Sequence, residues 1–343
     1  MKSFSQILSI VLIFALSLGL SNIVSAQDDP RAEAVTLYNN AQELASDGQY
    51  LDAVEMYREA MEIAREHDLE DILELTEEQI PRVFQRRAAN AYSEYQSSRT
   101  KDNANRALQY FKDQQEAGEE FGNQAVAEQA RGAIPQLYYI RSVHEFRDED
   151  LEDAMASLAT ALELNPNYAT AHYQKGIVFK KKYPEDIEGA LVHYDRAIEL
   201  AEQIGDNRTL NNARRGAAEE LIFRAVTLAD ERRFSDAISL LNRVENYDSS
   251  SADAHYRLAE IYNERGNWGD ALRHAQQALE FETGGVVDRA KIYFEKGTAY
   301  KGMGNKEQAC EAFENANYGE FSEPAQHELQ FELRCPGHSP TGR

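Results

Sequence analysis

Residues 252–281 read ADAHYRLAEIYNERGNWGDALRHAQQALEF. Small and apolar residues recur at three- and four-residue steps on both sides of Gly266, the pattern of two amphipathic helices joined by a tight turn. Residues 289–316, RAKIYFEKGTAYKGMGNKEQACEAFENA, follow the same grammar. A Gly or polar residue stands five places before a small Ala, a larger residue follows four places later, and another small residue three after that. Aligning on this signature finds Ala53/Tyr57/Ala60, Ala154/Leu158/Ala161, Ala190/Tyr194/Ala197, Ala237/Leu241/Val244, Ala271/Ala275/Ala278 and Ala309/Phe313/Ala316, with a weaker copy at Ala107/Phe111/Gln114. Upstream helices carry their own small-then-large pairs: Gly176/Phe179, Ala225/Leu228, Ala259/Tyr262 and Gly297/Tyr300.

These columns resemble the tetratricopeptide repeat, whose W-x2-L-G-x2-Y…A-x3-F…P pattern is met best from Ala252 to Ala316. The resemblance implies an all-α, right-handed superhelix of stacked antiparallel helix pairs. It implies about seven repeats, some divergent, because one pair alone cannot bury its apolar face. The superhelical domain is expected over 27–335, with divergent repeats at 32–165, more regular ones at 168–317 and a capping helix at 322–335. Residues 336–343 read as a disordered tail. The key alanines are spaced 54, 47, 36, 47, 34 and 38 residues apart, against a family period of about 34. The two longest departures hold Ile80-Pro81 and Ile134-Pro135, also 54 residues apart. A proline removes one helical hydrogen bond and crowds the preceding turn. Helix starts or kinks are therefore expected at both, after extra helical stretches at about 69–79 and 123–133. LNPN at 164–167 supplies a proline stop, while KKKYPED at 180–186 and GDNRT at 205–209 read as solvated loops.

The chain starts MKSFSQILSIVLIFALSLGLSNIVSA: one lysine, an apolar run from Ile7 to Leu20, then Val24-Ser25-Ala26 in a small-residue cleavage pattern. Residues 1–26 are expected to be a secretory signal peptide of bacterial type. The mature protein is then exported, most simply to the periplasm, with no membrane insertion after cleavage. The chain has 36 Lys+Arg against 59 Asp+Glu; without the leader, which contains only Lys2, this becomes 35 against 59, a net −24. Such a balance repels polyanions and argues against nucleic acid as a partner.

No catalytic motif is found. HEFRD at His144 and HELQF at His327 start like H-E-x-x-H but lack the second histidine. There is no G-x-S-x-G, no P-loop and no dinucleotide fingerprint. DEDLED at 148–153 lacks the Gly and terminal Glu of a calcium loop. The expectation is a non-enzyme with no cofactor and no metal.

Binding remains. Position 5 of each first helix, which the resemblance places on a concave groove, reads Tyr38, Tyr92, Tyr139, Tyr173, Ile222, Tyr256 and Phe294. Six of seven are aromatic, a residue type enriched at interface hot spots; the competing reading is packing between neighbouring first helices. The family's carboxylate clamp uses Lys, Asn and Arg, whereas the corresponding places here include Glu219, Asp253, Glu260 and Asn263. An acidic, aromatic groove suits a basic or neutral peptide, or a partner helix. The expected function is a protein-interaction scaffold of the cell envelope. A glycan or small-molecule module and a purely structural spacer are the alternatives.

Cys310 and Cys335 are the only cysteines. In an oxidising compartment, on adjacent packed helices, they are most simply a disulfide. A zinc site with His327 and His338, and a redox dithiol without a C-x-x-C, are the weaker alternatives.

Overall fold

A computed structural model describes residues 29–338. The expected leader at 1–26 and the tail residues 339–343 lie outside the described residues. Among those described, fifteen α-helices form seven antiparallel pairs and a terminal cap, with no strand. The pairs are α1 (Pro30–Ser46) with α2 (Tyr50–Glu66), α3 (Glu70–Ser97) with α4 (Lys101–Glu120), α5 (Gln124–Arg147) with α6 (Leu151–Leu164) and α7 (Ala169–Lys182) with α8 (Ile187–Ile204). Then come α9 (Asn207–Asp230) with α10 (Phe234–Arg243), α11 (Ala252–Glu264) with α12 (Trp268–Phe281), α13 (Val286–Gly302) with α14 (Lys306–Ala316), and the cap helix α15 (Ser322–His327). By packing, residues 29–99 and 106–133 form one compact unit, while 100–105 and 134–338 form a second. The split between divergent and regular repeats is a property of sequence; the packing split falls at 133/134.

The repeat signature is the core. All twenty-one residues of its seven copies are buried, from Ala53/Tyr57/Ala60 to Ala309/Phe313/Ala316. Small residues in the first helix let the large residue of the second approach. A Cβ placed on Gly176 would lie 2.8 Å from the Tyr194 ring, and one on Gly297 would lie 2.9 Å from Phe313. Both distances are well inside van der Waals contact, so each of these two helix pairs closes around a glycine–ring contact.

The residue five places before the key alanine turns the chain between paired helices. It has positive φ in five copies: Gly48, Glu149, Arg232, Gly266 and Gly304. Arg232, at φ 61°, carries a side chain where the left-handed conformation costs roughly 1–2 kcal/mol. Arg232→Gly is expected to raise stability by about 0.5–1 kcal/mol once glycine's extra unfolded-state entropy is deducted. Urea unfolding measures this, and a lower midpoint would count against the turn argument.

Neither proline starts a helix. α3 runs through Pro81 and α5 through Pro135, so the expected preceding stretches are present but form one unbroken helix with the residues beyond each proline. The eleven residues of α3 before Pro81 and the sixteen after it propagate helix from both sides. Burial of Ile80, Pro81 and Val83 holds the join against the loss of one hydrogen bond. Two expected loops are also partly helical. Lys180, Lys181 and Lys182 form the last turn of α7, where cations favour the helix C-terminus. Asn207 to Thr209 open α9, with Asp206 as N-cap accepting from the Thr209 N–H at 3.1 Å.

The expected cap helix over 322–335 is shorter. After α15 the chain widens into a π-helical turn over Glu328–Glu332, and the left-handed Arg334 (φ 52°) then delivers Cys335. Cys335 is disulfide-bonded to Cys310, with Cα atoms 5.8 Å apart. Leaving the α-helix lets Cys335 fold back beneath Leu329 and Phe313. Of the tail, Pro336–His338 curl back so that the His338 ring sits 3.1 Å from Glu314. Reduction is expected to lower stability by about 3 kcal/mol, the loop-closure value for 25 residues. Unfolding with and without dithiothreitol tests this, and identical midpoints would show that the bond holds nothing.

Candidate functional site

The position-5 aromatics do not form one stack; four pack on the large residue of their own repeat's signature, and Tyr139 and Tyr256 meet residues of the following repeat. Tyr38 meets Tyr57 edge-on (5.3 Å between ring centroids), Tyr92 meets Phe111 (6.3 Å), Tyr173 meets Tyr194 (6.0 Å) and Phe294 meets Phe313 (5.3 Å). Tyr139 packs on Tyr168 at 5.6 Å. These five rings are half-buried, leaving part of each at the surface. Tyr256 differs because its signature partner is Ala275. It sinks into the vacated space beside Ile292 and is 6% exposed. The Lys291 ammonium and Arg257 guanidinium lie 4.7 and 4.9 Å from its ring centre. Tyr38 and Tyr92 belong to the first unit; Tyr139, Tyr173, Tyr256 and Phe294 belong to the second.

The surface opens where the column breaks. Ile222 takes the packed position 5 of α9, and the next residue, Phe223, is displaced outward to 66% exposure. With Phe146 of α5, Ile177 of α7 and Pro184 it lines an apolar recess of about 540 Å³. Glu220, 7% exposed, is held at its edge by the Lys180 ammonium at 3.4 Å. On the other side of α9 a smaller recess of about 260 Å³ is lined by Val226, Asp230 and Arg232 together with Arg257, Glu260 and Glu264 of α11.

Behind that recess, Asn263 of α11 donates through its amide to the Glu295 carboxylate of α13 at 2.7 Å and to the Glu295 carbonyl at 2.8 Å. Glu295 is 9% exposed. Burial, with Glu260 and Glu264 close by, pushes its pKa up to about 7 despite the Asn263 donor.

Three segments of the chain match repeat families: 145–182 a TPR repeat, and 228–291 and 290–318 tetratricopeptide repeats. The chain carries tetratricopeptide repeats. No curated protein matches its sequence. Among solved structures it is similar to YrrB, described as a TPR protein with an unusual peptide-binding site (21% identity, 57% of this chain and 90% of that one, TM-score 0.34). It is also similar to MamA residues 41 to end from Desulfovibrio magneticus RS-1 (18%, 55% and 96%, 0.36) and to PilW, a type IV pilus biogenesis factor (15%, 71% and 97%, 0.34). Likeness at this level says nothing about what this chain binds.

The apolar recess spans the first helices of the third, fourth and fifth helix pairs. Sequence reasoning singled out the aromatic column and missed Phe223. The signal was present: Ile222 is the one non-aromatic in the column, and an aromatic follows it immediately. A third cavity, of about 410 Å³, lies beside α10, α11 and α12 of the fifth and sixth helix pairs, lined by His255, His274 and Phe281 among others. Those rings serve each other. His274 lies parallel to Tyr262 (5.5 Å), His255 stacks on Phe281 (5.6 Å), and the two histidine Nδ1 atoms are 3.1 Å apart.

Proposed function

We propose that this chain is a non-catalytic scaffold of the bacterial cell envelope, exported through residues 1–26, which binds a polypeptide segment or partner helix on the first-helix face of residues 134–338. The observation that supports this reading best is the apolar recess opened by Phe223. It is a concave, largely apolar site on a repeat fold, with the two-thirds-exposed Phe223 ring at its edge. The half-exposed edges of Tyr139, Tyr173 and Phe294 extend the same face, and Tyr256 stiffens it from below. No cluster of three or more His, Cys, Asp or Glu able to hold a metal occurs among the described residues. No described helix is long and apolar enough to cross a membrane. The cavity at His255 favours the glycan alternative less, because its ring faces are already stacked on one another.

The test is site-resolved photo-crosslinking in envelope extract. A photoreactive residue replaces Phe223 in one variant and Val192, 63% exposed on the second helix α8, in another. A polypeptide captured from position 223 and not from 192 is the expected result. Capture from 192 alone, or from neither, overturns the binding face. In the producing cell the mature chain is expected in the osmotic-shock fraction with a mass lacking residues 1–26. A cytoplasmic chain retaining Met1 overturns the export assignment.

A further inference from the structure

We propose that the segment bound at this face presents one large apolar side chain to the Phe223 recess and, on the α11 side of α9, a lysine or arginine to the recess between α9 and α11. The proposal rests on the binding face inferred above and adds the chemistry of its occupant. Phe223 is two-thirds exposed while Phe146, Ile177 and Pro184 surround an open volume of about 540 Å³ beside it. That volume accepts a Phe, Leu or Trp side chain, and the exposed ring gains contact when it is filled. Water covering an apolar floor is the cost that such a side chain removes.

The second half rests on charge. Asp230 lies seven residues beyond Phe223 on α9, a rise of about 10 Å. Asp230 and Glu264 line the smaller recess and have no ion-pair partner among the described residues. Its third carboxylate, Glu260, is held by Arg257 at 3.0 Å. Two guanidiniums, Arg232 and Arg257, share the recess with these three acids, and one of them is already committed. Glu219, one turn before Phe223, reaches only to 3.9 Å from Arg215. The apolar recess has its own ion pair, Lys180 with Glu220, and Lys181 also lines it, so the carboxylates without partners are Asp230 and Glu264 of the smaller recess, on a chain of formal net charge −23. A cationic residue beside the apolar anchor is the complement to that field.

Selection of random twelve-residue peptides on the full mature chain tests the proposal, followed by affinity measurement of the winners. Enrichment of a large apolar residue together with Lys or Arg is expected. Phe223→Ser should weaken the winners at least tenfold, and Asp230→Lys with Glu264→Lys should weaken them similarly. Both sites are exposed, and circular dichroism verifies that the variants keep their helices. Raising salt from 50 to 500 mM should weaken the parent several-fold and the Lys variant little. Acidic winners, winners indifferent to Phe223→Ser, or no winners at all overturn the proposal. If position 223 still crosslinks a polypeptide in that case, the occupant chemistry has failed and the binding face stands; loss of the crosslink removes both.

Discussion

At pH 8 the Glu295→Gln variant is expected to be more stable than the parent by about 3 kcal/mol, and at pH 4 the two should be alike. The carboxyl of Glu295 has an ordinary value of 4.5 when unfolded and is pushed up to about 7 in the fold. Below 4.5 both states hold the proton and folding is indifferent to it. Between 4.5 and 7 the unfolded chain ionises while the folded one does not, so stability falls by about 1.4 kcal/mol per unit of pH; above 7 the loss is complete. Burial is the main cause, and Glu260 and Glu264 add to it across the α11–α13 contact while Arg257 offsets them in part. Glutamine keeps an oxygen for the Asn263 amide and has nothing to ionise. Chemical unfolding of both proteins at pH 4, 6 and 8 measures the difference; curves that stay parallel would mean that Glu295 ionises freely in the fold.

Tyr194→Ala is expected to cost about 3–5 kcal/mol, the range for emptying a buried aromatic site. Tyr194→Phe is expected to cost nothing or to stabilise by about 1 kcal/mol. The Tyr194 ring is fully buried between α7 and α9, against Gly176 on one side and Gly216 on the other. Its hydroxyl is buried too, and no donor or acceptor reaches it. The ring therefore supplies the packing and the hydroxyl only a desolvation cost. A Phe variant that lost as much as the Ala variant would show the hydroxyl to be bonded after all.

The repeat register was legible in the sequence because it is a packing rule: small residues every third or fourth place mark where two helices touch, and all seven copies of the signature are buried. The cysteine pair was legible for a similar reason, since Cys310 adjoins a signature alanine and any cap beyond it must lie against it. Local breakers were over-read. Pro81 and Pro135 suggested helix starts or kinks because proline's cost is local; neither is a start, since the long helical stretches on either side and buried neighbours outweigh that cost. The charge of Lys180, Lys181 and Lys182 suggests a solvated loop, whereas here it completes a helix terminus. In the candidate site, the column of rings was visible but its geometry was not. Whether a ring lies flat on a neighbour or stands out depends on what its repeat offers opposite. Ala275 admits Tyr256 to the interior, while Ile222 leaves Phe223 outside.

The disulfide between Cys310 and Cys335 also bears on the order in which the protein comes apart. In a linear array each repeat is steadied only by its neighbours, so opening starts most readily where one neighbour is missing. Here the terminal repeat, α13 and α14, has its missing neighbour replaced by a short segment tied covalently across it. Amide protons of α14 should therefore exchange as slowly as those of interior helices such as α8, and become fast when the bond is reduced. Opening of the last described repeat is therefore expected to follow the redox state of its surroundings.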